Sequence, residues 1–371
     1  MLQEEKTGSI AVFIGRFQPF HKGHKSVVDQ ALSHADDVIV LIGSAFRPRS
    51  PKNPFTFEER RDMIVESFPA DEKQRIHCLP IMDSVYDDTA WATQVRIAVQ
   101  MKARQLLGAD HRSEISLIGF KKDESSYYLK LFPEWRDIPV EGFKVQGATE
   151  HLSATNIREQ LYKGKSTYDS QLPSGSNAKI QSMPQTSGPL KVLREEAGYL
   201  RDYRALIAKA SEAFNGWPVL TQTVDAVVVQ SGHILLVERG QLPGVGLWAL
   251  PGGHLDHNET LEEAMIRELY EECRLDMPKG ALKGRIKTSR RYDTPSRSEK
   301  ARVITEAFLV ELPQRDKLEK VKGGDDARRA FWVPVSEIDP RMMFEDHYDI
   351  IQDMLGMQQG WSNIYLPYLN S

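Results

Sequence analysis

The chain has 371 residues and a formal net charge of −4, from 48 basic and 52 acidic side chains. This length exceeds one ordinary hydrophobic core, so we expect two domains. The balanced charge excludes a protein whose main task is to coat nucleic acid, because such binding needs a concentrated basic surface.

The N-terminal stretch MLQEEKTGS is acidic and polar, and no segment reaches the roughly 18 apolar residues that span a bilayer. Cys78 and Cys273 lie far apart, outside any CxxC or Cys/His cluster, so neither a disulfide framework nor a structural zinc site is indicated. We therefore expect a cytoplasmic protein with no membrane or nucleic-acid partner. The sequence leaves the oligomeric state, including a homo-oligomer, open.

The N-terminal half contains short apolar runs at residues 10–15, 38–43 and 115–119 that are rich in Val and Ile. Such runs are typical of parallel strands buried on both faces. Between the first two runs, apolar residues recur at helical spacing, which predicts a strand-helix-strand unit. The N-terminal fold class is therefore a doubly wound α/β domain with a parallel sheet.

The stretch IGRFQPFHKGH (14–24) follows the first predicted strand and precedes the first predicted helix. A turn of this kind presents backbone N–H groups and a positive helix end, which favours a bound phosphate. His21 and His24 are three residues apart, so both imidazoles can face one side of the helix start. Gly23 between them allows a nucleotide to approach closely.

These residues resemble the HxGH motif of the nucleotidyltransferase superfamily, in the version seen in archaeal-type nicotinamide mononucleotide (NMN) adenylyltransferases. LSATNIR (152–158) resembles the SxTxxR motif of the same family. The resemblance implies transfer of AMP from ATP to a mononucleotide, with Mg²⁺ on the phosphates and with His21, His24 and Arg158 as catalytic residues. The implied ATP-binding residues are Gly15, Arg16, Phe17, His21, Gly23, His24, Lys121, Asp123, Ser153, Thr155 and Arg158.

The acceptor is not defined by the HxGH motif, because pantetheine phosphate, flavin mononucleotide and pyridine nucleotides are all substrates in the superfamily. Residues 53–64 and 86–95 resemble segments that recognise the pyridine nucleotide. The resemblance implies that Trp91 stacks on the nicotinamide ring and that Arg60 contacts a phosphate. Core packing for Trp91 and a solvated helix face for Arg60 are the competing interpretations.

The middle of the chain separates the two halves. Residues 163–189 are rich in Ser, Gly and Pro and predict a flexible loop or linker, and a helix is expected at about 190–214. After Trp217, two strand-like runs flank Ser231-Gly232, as in a hairpin. We expect an adenylyltransferase domain at 1–188, a connecting helical segment at 189–216 and an α+β domain at 217–371.

The stretch GGHLDHNETLEEAMIRELYEECRL (252–275) predicts a helix at about 260–272. Glu268 lies one helical turn from Glu271 and Glu272, and carboxylates gathered in this way suit Mg²⁺ or Mn²⁺. The stretch resembles the Nudix box, with matches at Gly253, Glu259, Arg267, Glu268, Leu269, Glu271, Glu272 and Leu275. Arg274 replaces the glycine of the family pattern, which puts the end of this helix in doubt.

The Nudix resemblance implies metal-dependent hydrolysis of a nucleoside diphosphate derivative, with Arg267 and the three acids as catalytic residues and Gly253 beside the acids as a metal ligand. Residues 291–305 resemble Nudix members that act on ADP-ribose, which implies that Tyr292, Asp293 and Arg297 bind substrate. Glu306 and Glu345 are the candidates for the residue that orients water.

The two motifs in this order resemble bifunctional enzymes of NAD metabolism that join an NMN adenylyltransferase to a Nudix hydrolase. The implied partners are ATP, NMN, NAD and ADP-ribose, and the implied second reaction cleaves ADP-ribose to AMP and ribose 5-phosphate. The alternative is an adenylyltransferase for another acceptor, with a Nudix domain that senses ADP-ribose or NAD without hydrolysis.

Overall fold

A computed structural model describes residues 7–108, 112–119, 124–140, 152–324 and 327–357. The described residues form two compact units, which we call unit 1 (up to Arg194) and unit 2 (from Glu195). The predicted functional division at 188 and 217 stays a prediction. Among the described helices, we find none with the length and apolar character that a membrane crossing requires.

Unit 1 contains a five-stranded sheet in the order β3-β2-β1-β4-β5, in which every neighbouring pair is parallel. Its strands are β1 (Thr7–Gly15), β2 (Asp37–Ile42), β3 (Ile76–Pro80), β4 (Arg112–Ile118) and β5 (Arg136–Ile138). Successive residues of β1 enter opposite core clusters, with Phe13 on one face and Val12 on the other. The predicted doubly wound parallel sheet is confirmed.

The helices of unit 1 flank this sheet. They are α1 (Lys22–His34), α2 (Phe57–Val65), α3 (Ala70–Lys73), α4 (Asp88–Leu107), α5 (Ala154–Tyr162) and α6 (Ser174–Ser182), followed by α7 (Gly188–Ala213), in which the division between the units falls. The chain leaves β1 toward β2 on one side and returns to β4 on the other. This reversal opens a crevice at the carboxyl end of β1, where ligands bind in such sheets.

The predicted linker at 163–189 is wrong for its central part, which forms α6 and packs on α2. A side chain at Gly175 would place its Cβ 2.8 Å from the carbonyl oxygen of Met63, so the small residue permits a close helix approach. Ser176 is fully buried, and its hydroxyl donates to the Phe20 carbonyl at 2.8 Å. Gly and Ser here serve packing, a use that composition does not distinguish from a loop.

Unit 2 contains a mixed sheet in the order β10-β11-β6-β7-β12, with β8 paired to β7 and β9 to β6. Its strands are β6 (Thr221–Gln230), β7 (His233–Arg239), β8 (Trp248–Ala249), β9 (Gly252–His254), β10 (Ile286–Tyr292), β11 (Val303–Glu311) and β12 (Ala327–Pro334). Its helices are α8 (Leu261–Cys273), α9 (Lys279–Lys283) and α10 (His347–Met354). Short 3-10 helices lie in unit 1 at Glu124–Leu131 and Asp169–Gln171 and in unit 2 at Val335–Glu337 and Pro340–Met342. The predicted hairpin joins β6 to β7, and Ser231 and Gly232 both have positive φ, as a primed turn requires.

Helix α8 begins with a capping box, in which Thr260 and Glu263 bond to each other's backbone N–H groups. It ends at Arg274, which adopts the left-handed conformation with φ 44° and ψ 45°. The helix therefore ends in the left-handed conformation that glycine usually adopts at this position, although Arg274 carries a Cβ. The predicted helix is confirmed. Arg274, which replaces the glycine of the Nudix pattern, keeps the left-handed cap at a higher conformational energy.

Replacing Arg274 with Gly is expected to raise the free energy of unfolding of unit 2 by about 1 kcal/mol, because an L side chain in this conformation is strained. The measurement is thermal or urea unfolding followed by a signal from unit 2. The Arg274→Ala variant is the control, since it shortens the side chain and keeps the Cβ. Equal stabilisation by Ala and Gly would assign the effect to the arginine side chain and contradict the prediction.

Candidate active sites

The loop between β1 and α1 holds two histidines against each other. His21 is the N-cap of α1, and the Nδ1 atom of each ring accepts the backbone N–H of the other residue at 3.3 Å. The rings stack with centroids 3.6 Å apart and planes 12° apart. Since both Nδ1 atoms are acceptors, each neutral ring carries its proton on Nε2. The motif therefore offers two Nε2–H groups in a fixed orientation.

His24 is surrounded by aromatic rings, and its environment favours the uncharged imidazole. Phe17 lies edge-on to it at 5.0 Å, and Phe20 stacks on it at 5.8 Å. Burial, and then the neighbouring His21, lower the pKa of His24 well below its usual value. His24 can thus donate a hydrogen bond to a phosphate at neutral pH, while positive charge has to come from other side chains.

The SxTxxR segment lies against the HxGH loop. Ser153 is the N-cap of α5, and Arg158 donates from Nη1 to the Gln18 carbonyl at 2.7 Å and from Nη2 to the Thr155 hydroxyl at 3.2 Å. Gln18 in turn exchanges two hydrogen bonds of 3.0 Å with the backbone of Phe55. Two motifs far apart in the sequence therefore meet at the carboxyl end of β1.

Two glycines of the HxGH loop leave space for the rings that pack against the loop backbone. A Cβ at Gly15 would lie 2.8 Å from the Phe17 ring, and a Cβ at Gly23 would lie 3.1 Å from the His21 ring. Arg16, between these positions, is exposed. The loop thus combines tightly packed backbone with cationic side chains at the surface, Arg16 and Lys22.

Unit 2 has a cavity of about 340 Å³ beside the acidic face of α8. Its lining includes Arg267, Glu268 and Glu272 from this helix. Glu271 is absent from the lining among the described residues; its side chain is 42% exposed and pairs with Arg267 at 2.9 Å. The structure therefore places two of the three predicted acids at the cavity.

Arg267 bridges three carboxylates on or beside α8. Its guanidinium contacts Glu259 at 2.6 Å and both Glu268 and Glu271 at 2.9 Å. It also donates to the His254 carbonyl at 3.0 Å, which ties α8 to β9. Hydrogen bonds to these acids raise the pKa of Arg267 above its usual value. One permanent cation thus offsets the repulsion among three like charges.

Glu272 is buried in the cavity wall and has a different partner. One of its oxygens accepts the Gly252 amide at 3.0 Å, yet burial and, secondarily, the charge of Glu268 raise the pKa of Glu272 to about 8. Burial also raises the pKa of Glu268. Their ionised forms are therefore incompletely compensated by the side chains around them.

These two carboxylates fit a divalent cation. A Cβ at Gly253 would lie 2.2 Å from a Glu268 oxygen, so the glycine lets this carboxylate rest against β9. Across the described part of the chain, no group of three or more His, Cys, Asp or Glu side chains is arranged to hold a metal ion. The donor chemistry nevertheless suits Mg²⁺ or Mn²⁺, because carboxylate oxygens with raised pKa values are stabilised by such an ion.

Family models match both units. The Cytidylyltransferase-like model matches residues 12–160, and the NUDIX domain model matches residues 219–354. A nicotinamide/nicotinic acid mononucleotide adenylyltransferase of Acinetobacter baylyi is 46% identical over 44% of this chain and 81% of its own length. An ADP-ribose pyrophosphatase of Methanocaldococcus jannaschii is 33% identical over 37% of this chain and 74% of its own length.

A solved structure resembles nearly the whole chain. The crystal structure of a bifunctional NMN adenylyltransferase/ADP ribose pyrophosphatase from Francisella tularensis, complexed with AMP and a Mn ion, has a TM-score of 0.82 and 32% identity. The similarity covers 94% of this chain and 99% of that one. The chain belongs to the family of bifunctional NMN adenylyltransferase/ADP-ribose pyrophosphatases. Both predicted family resemblances are confirmed.

In this member of the bifunctional family, Arg60 contacts backbone carbonyls, and its phosphate contact stays a prediction. Arg60 is fully buried, and its guanidinium donates to the carbonyl oxygens of Arg16 at 2.7 Å and Gly43 at 2.6 Å. It also donates to the Ser44 and Thr56 carbonyls. Arg60 therefore holds the loops after β1 and β2 together, and sequence could not distinguish this role from that of a ligand contact.

The other predicted residues of unit 1 divide into three groups. The Phe17 side chain is 1% exposed and belongs to the core, so its ring supports His24, and its part in ATP binding stays a prediction. Trp91 is half-buried with ring centroids 6.0 Å from Tyr128 and Phe132, and its nicotinamide contact stays a prediction. Lys121 and Asp123 lie outside the described residues.

The predicted substrate residues of the Nudix half are only partly at the cavity. Tyr292 is 1% exposed, and its hydroxyl donates to Asp353, so its substrate contact stays a prediction. Asp293 is exposed and absent from the described lining. Arg297 does line the cavity, while its guanidinium forms two hydrogen bonds of 2.9 Å to Asp346.

Other parts of the lining come from segments outside the two sequence motifs. Arg239 ends β7 and packs over the Phe344 ring at 3.9 Å. Glu345 lines the cavity, whereas Glu306 lies on β11, accepts from the Ser289 hydroxyl and is absent from the described lining. Single polar residues at strand ends and in loops lack the spacing that marks a motif, so sequence missed Arg239 and did not choose between Glu306 and Glu345.

Replacing Gly253 with Ala is expected to lower the hydrolytic activity of this bifunctional enzyme about 100-fold, because the added methyl would displace the Glu268 carboxylate. The measurement is the rate of ADP-ribose hydrolysis with Mg²⁺. Gly280→Ala is the matched control, since a Cβ there meets no atom within 4 Å. Wild-type activity in the Gly253→Ala variant would contradict the placement of Glu268 in the site.

Proposed function

We propose that the chain catalyses two reactions, adenylyl transfer from ATP to NMN in unit 1 and metal-dependent hydrolysis of ADP-ribose in unit 2. The observation that carries the proposal is the presence, in one chain, of a paired-histidine phosphate loop and a buried carboxylate pair, each inside the matching family model. We keep the functional limits of 1–188 for the first activity and 217–371 for the second, joined by 189–216. Because nucleotides are the proposed substrates, we place the enzyme in the cytoplasm and give nucleic acid no role.

The adenylyl transfer is an in-line substitution at the α-phosphorus of ATP. An oxygen of the NMN 5′-phosphate forms the new bond while the bond to the β-phosphate oxygen breaks, so NAD and pyrophosphate are produced. The Nε2–H groups of His21 and His24 donate to phosphate oxygens, and Arg158 and Arg16 supply the positive charge that neutral imidazoles lack. Trp91 is the proposed platform for nicotinamide.

The Nudix reaction breaks the diphosphate of ADP-ribose to give AMP and ribose 5-phosphate. Glu268 and Glu272 would hold Mg²⁺ or Mn²⁺, with Gly253 and Glu271 as the remaining proposed ligands. When bound, the ion would withdraw charge from the diphosphate and polarise water. Arg267 keeps the acids in place, and Arg239 contributes a second cation to the lining, within electrostatic reach of Glu272 and Glu345.

Glu345 is the proposed general base. It lies in the cavity lining with φ 42°, a strained backbone conformation for a side chain of this type. The Glu299 amide and the Ser298 hydroxyl donate to it at 2.8 and 2.9 Å. Burial raises the pKa of Glu345 to about 7, which suits a group that accepts a proton near neutral pH.

The competing assignment is a Nudix domain that binds ADP-ribose or NAD without cleaving it, joined to an adenylyltransferase for another acceptor. A sensor has no need for two buried carboxylates whose ionised forms are unfavourable without a cation. Among the named relatives of unit 1, the Acinetobacter enzyme carries a pyridine mononucleotide in its name. Both points favour the two-enzyme proposal.

Exchanging one residue in each site should separate the two activities. His24→Ala is expected to lower NAD formation about 100-fold or more and to leave ADP-ribose hydrolysis intact, because it removes a phosphate donor from unit 1 alone. Glu272→Gln should have the converse effect, because it removes one carboxylate of the pair. Both rates are measured on the same purified preparation. Parallel loss of the two activities in either variant would contradict the two-site proposal.

Replacing Glu345 with Gln should lower the hydrolysis rate by about 10²- to 10⁴-fold. In the wild type, the rate should rise with pH through about 7, because a base acts only after losing its proton and burial raises the pKa of Glu345 to about 7. This rise should disappear in Glu345→Gln. Glu306→Gln is the control and should retain both the rate and the pH profile. An unchanged profile in Glu345→Gln would overturn the assignment.

A further inference from the structure

The second half of α7 contributes two tyrosines to the Nudix cavity. Tyr199 and Tyr203 both line it, although they precede residue 219, at which the match to the NUDIX domain model begins. They are four residues apart on one helix, so their rings emerge on the same side. The centroids are 6.2 Å apart and the planes differ by 28°, which gives a nearly continuous aromatic surface.

Two contacts within unit 2 hold this helix in place. Glu196 is 6% exposed, and one of its oxygens accepts the Gly244 amide at 2.7 Å. One turn beyond Tyr199, the Arg204 guanidinium donates to the Glu299 carbonyl at 3.0 Å. The aromatic pair is therefore anchored on both sides by polar contacts, and its position is defined before any ligand binds.

The aromatic pair differs from a core contact. Both rings are half-buried, and neither belongs to the hydrophobic cluster of unit 2 among the described residues. Lys300, which also lines the cavity, places its ammonium 5.9 Å from the Tyr199 centroid and 5.4 Å from the Tyr203 centroid. An aromatic surface beside a cation, in the same cavity as the carboxylate pair, suits a flat base attached to a phosphate.

We infer that Tyr199 and Tyr203 form the binding surface for the adenine base of the Nudix substrate, with Lys300 beside the phosphate that follows. This inference rests on the proposed hydrolase function and adds its base specificity. Stacking on an aromatic ring contributes about 1–3 kcal/mol per base, and it acts equally on bound substrate and transition state. These tyrosines are therefore binding residues whose loss changes KM more than kcat.

The kinetic test compares Tyr199→Ala and Tyr203→Ala with the Phe variants at both positions. The Ala variants should raise KM for ADP-ribose about 5- to 100-fold with kcat retained, whereas the Phe variants should keep the wild-type KM. Leu206→Ala, at an exposed position of α7 outside the described lining, is the matched control. A wild-type KM in both Ala variants would overturn the inference.

Product inhibition separates base binding from general damage to the cavity. AMP and ribose 5-phosphate each carry one phosphate, and only AMP carries adenine. The Ala variants should weaken inhibition by AMP and leave inhibition by ribose 5-phosphate unchanged. Equal weakening by both products would indicate a distorted cavity and contradict the inference.

Chemical nitration tests the surface without relying on hydrolysis. Arg201 lies between the two tyrosines, so tryptic peptides report nitration at each ring separately. AMP should protect both rings from tetranitromethane, and ribose 5-phosphate should not. If AMP protects both rings but the wild-type protein does not hydrolyse ADP-ribose, the proposed function is refuted and the base surface is supported. If the protein hydrolyses ADP-ribose but AMP does not protect the rings, the base surface is refuted and the proposed function is supported.

Discussion

The balance of charge around Arg267 is the constraint on which the hydrolytic half depends. Glu259, Glu268 and Glu271 can stand close together because one guanidinium reaches all three within 3.0 Å. That cation does not reach Glu272, whose pKa burial raises to about 8. The ionised carboxylates at the cavity wall are thus only partly balanced by positive charge from the protein. A divalent ion bound by Glu268 and Glu272 would supply the positive charge that Arg267 does not provide there.

The nucleotidyltransferase half solves the opposite electrostatic problem. Its ligand, a triphosphate, is strongly anionic, yet His24 is held uncharged by burial and by His21. In the proposed reaction, the histidines would orient the phosphates, and Arg16 and Arg158 would supply positive charge. Arg60 is the exception, since four backbone carbonyls take up its donors. In both halves, one arginine therefore contacts several protein groups and fixes the local structure of the site.

Much of this organisation could be predicted from sequence. The parallel sheet followed from unbroken apolar runs, and the HxGH loop and α8 followed from motifs with fixed spacing. Sequence also located the unusual cap at Arg274, although only the structure gave its left-handed geometry. These features are local, so neighbouring residues carry the whole signal.

Features that depend on tertiary contacts were missed or misassigned. Composition suggested a loop where Gly175 and Ser176 allow α6 to approach α2 and to support the HxGH loop. Tyr292 lay in a plausible motif, yet its hydroxyl points to Asp353. An arginine or tyrosine can contact a ligand or a buried protein group, depending on which residues of other segments pack beside it. Those tertiary neighbours cannot be predicted from the local sequence.

Helix α7 limits where the chain can be divided into separate fragments. A fragment cut where the NUDIX domain model begins would retain α8 and the carboxylate pair and would lose Glu196, Tyr199 and Tyr203. The Gly244 amide would then lose its carboxylate acceptor. The segment between the two catalytic motifs thus carries part of the cavity lining, so its sequence matters to the Nudix cavity as well as its length.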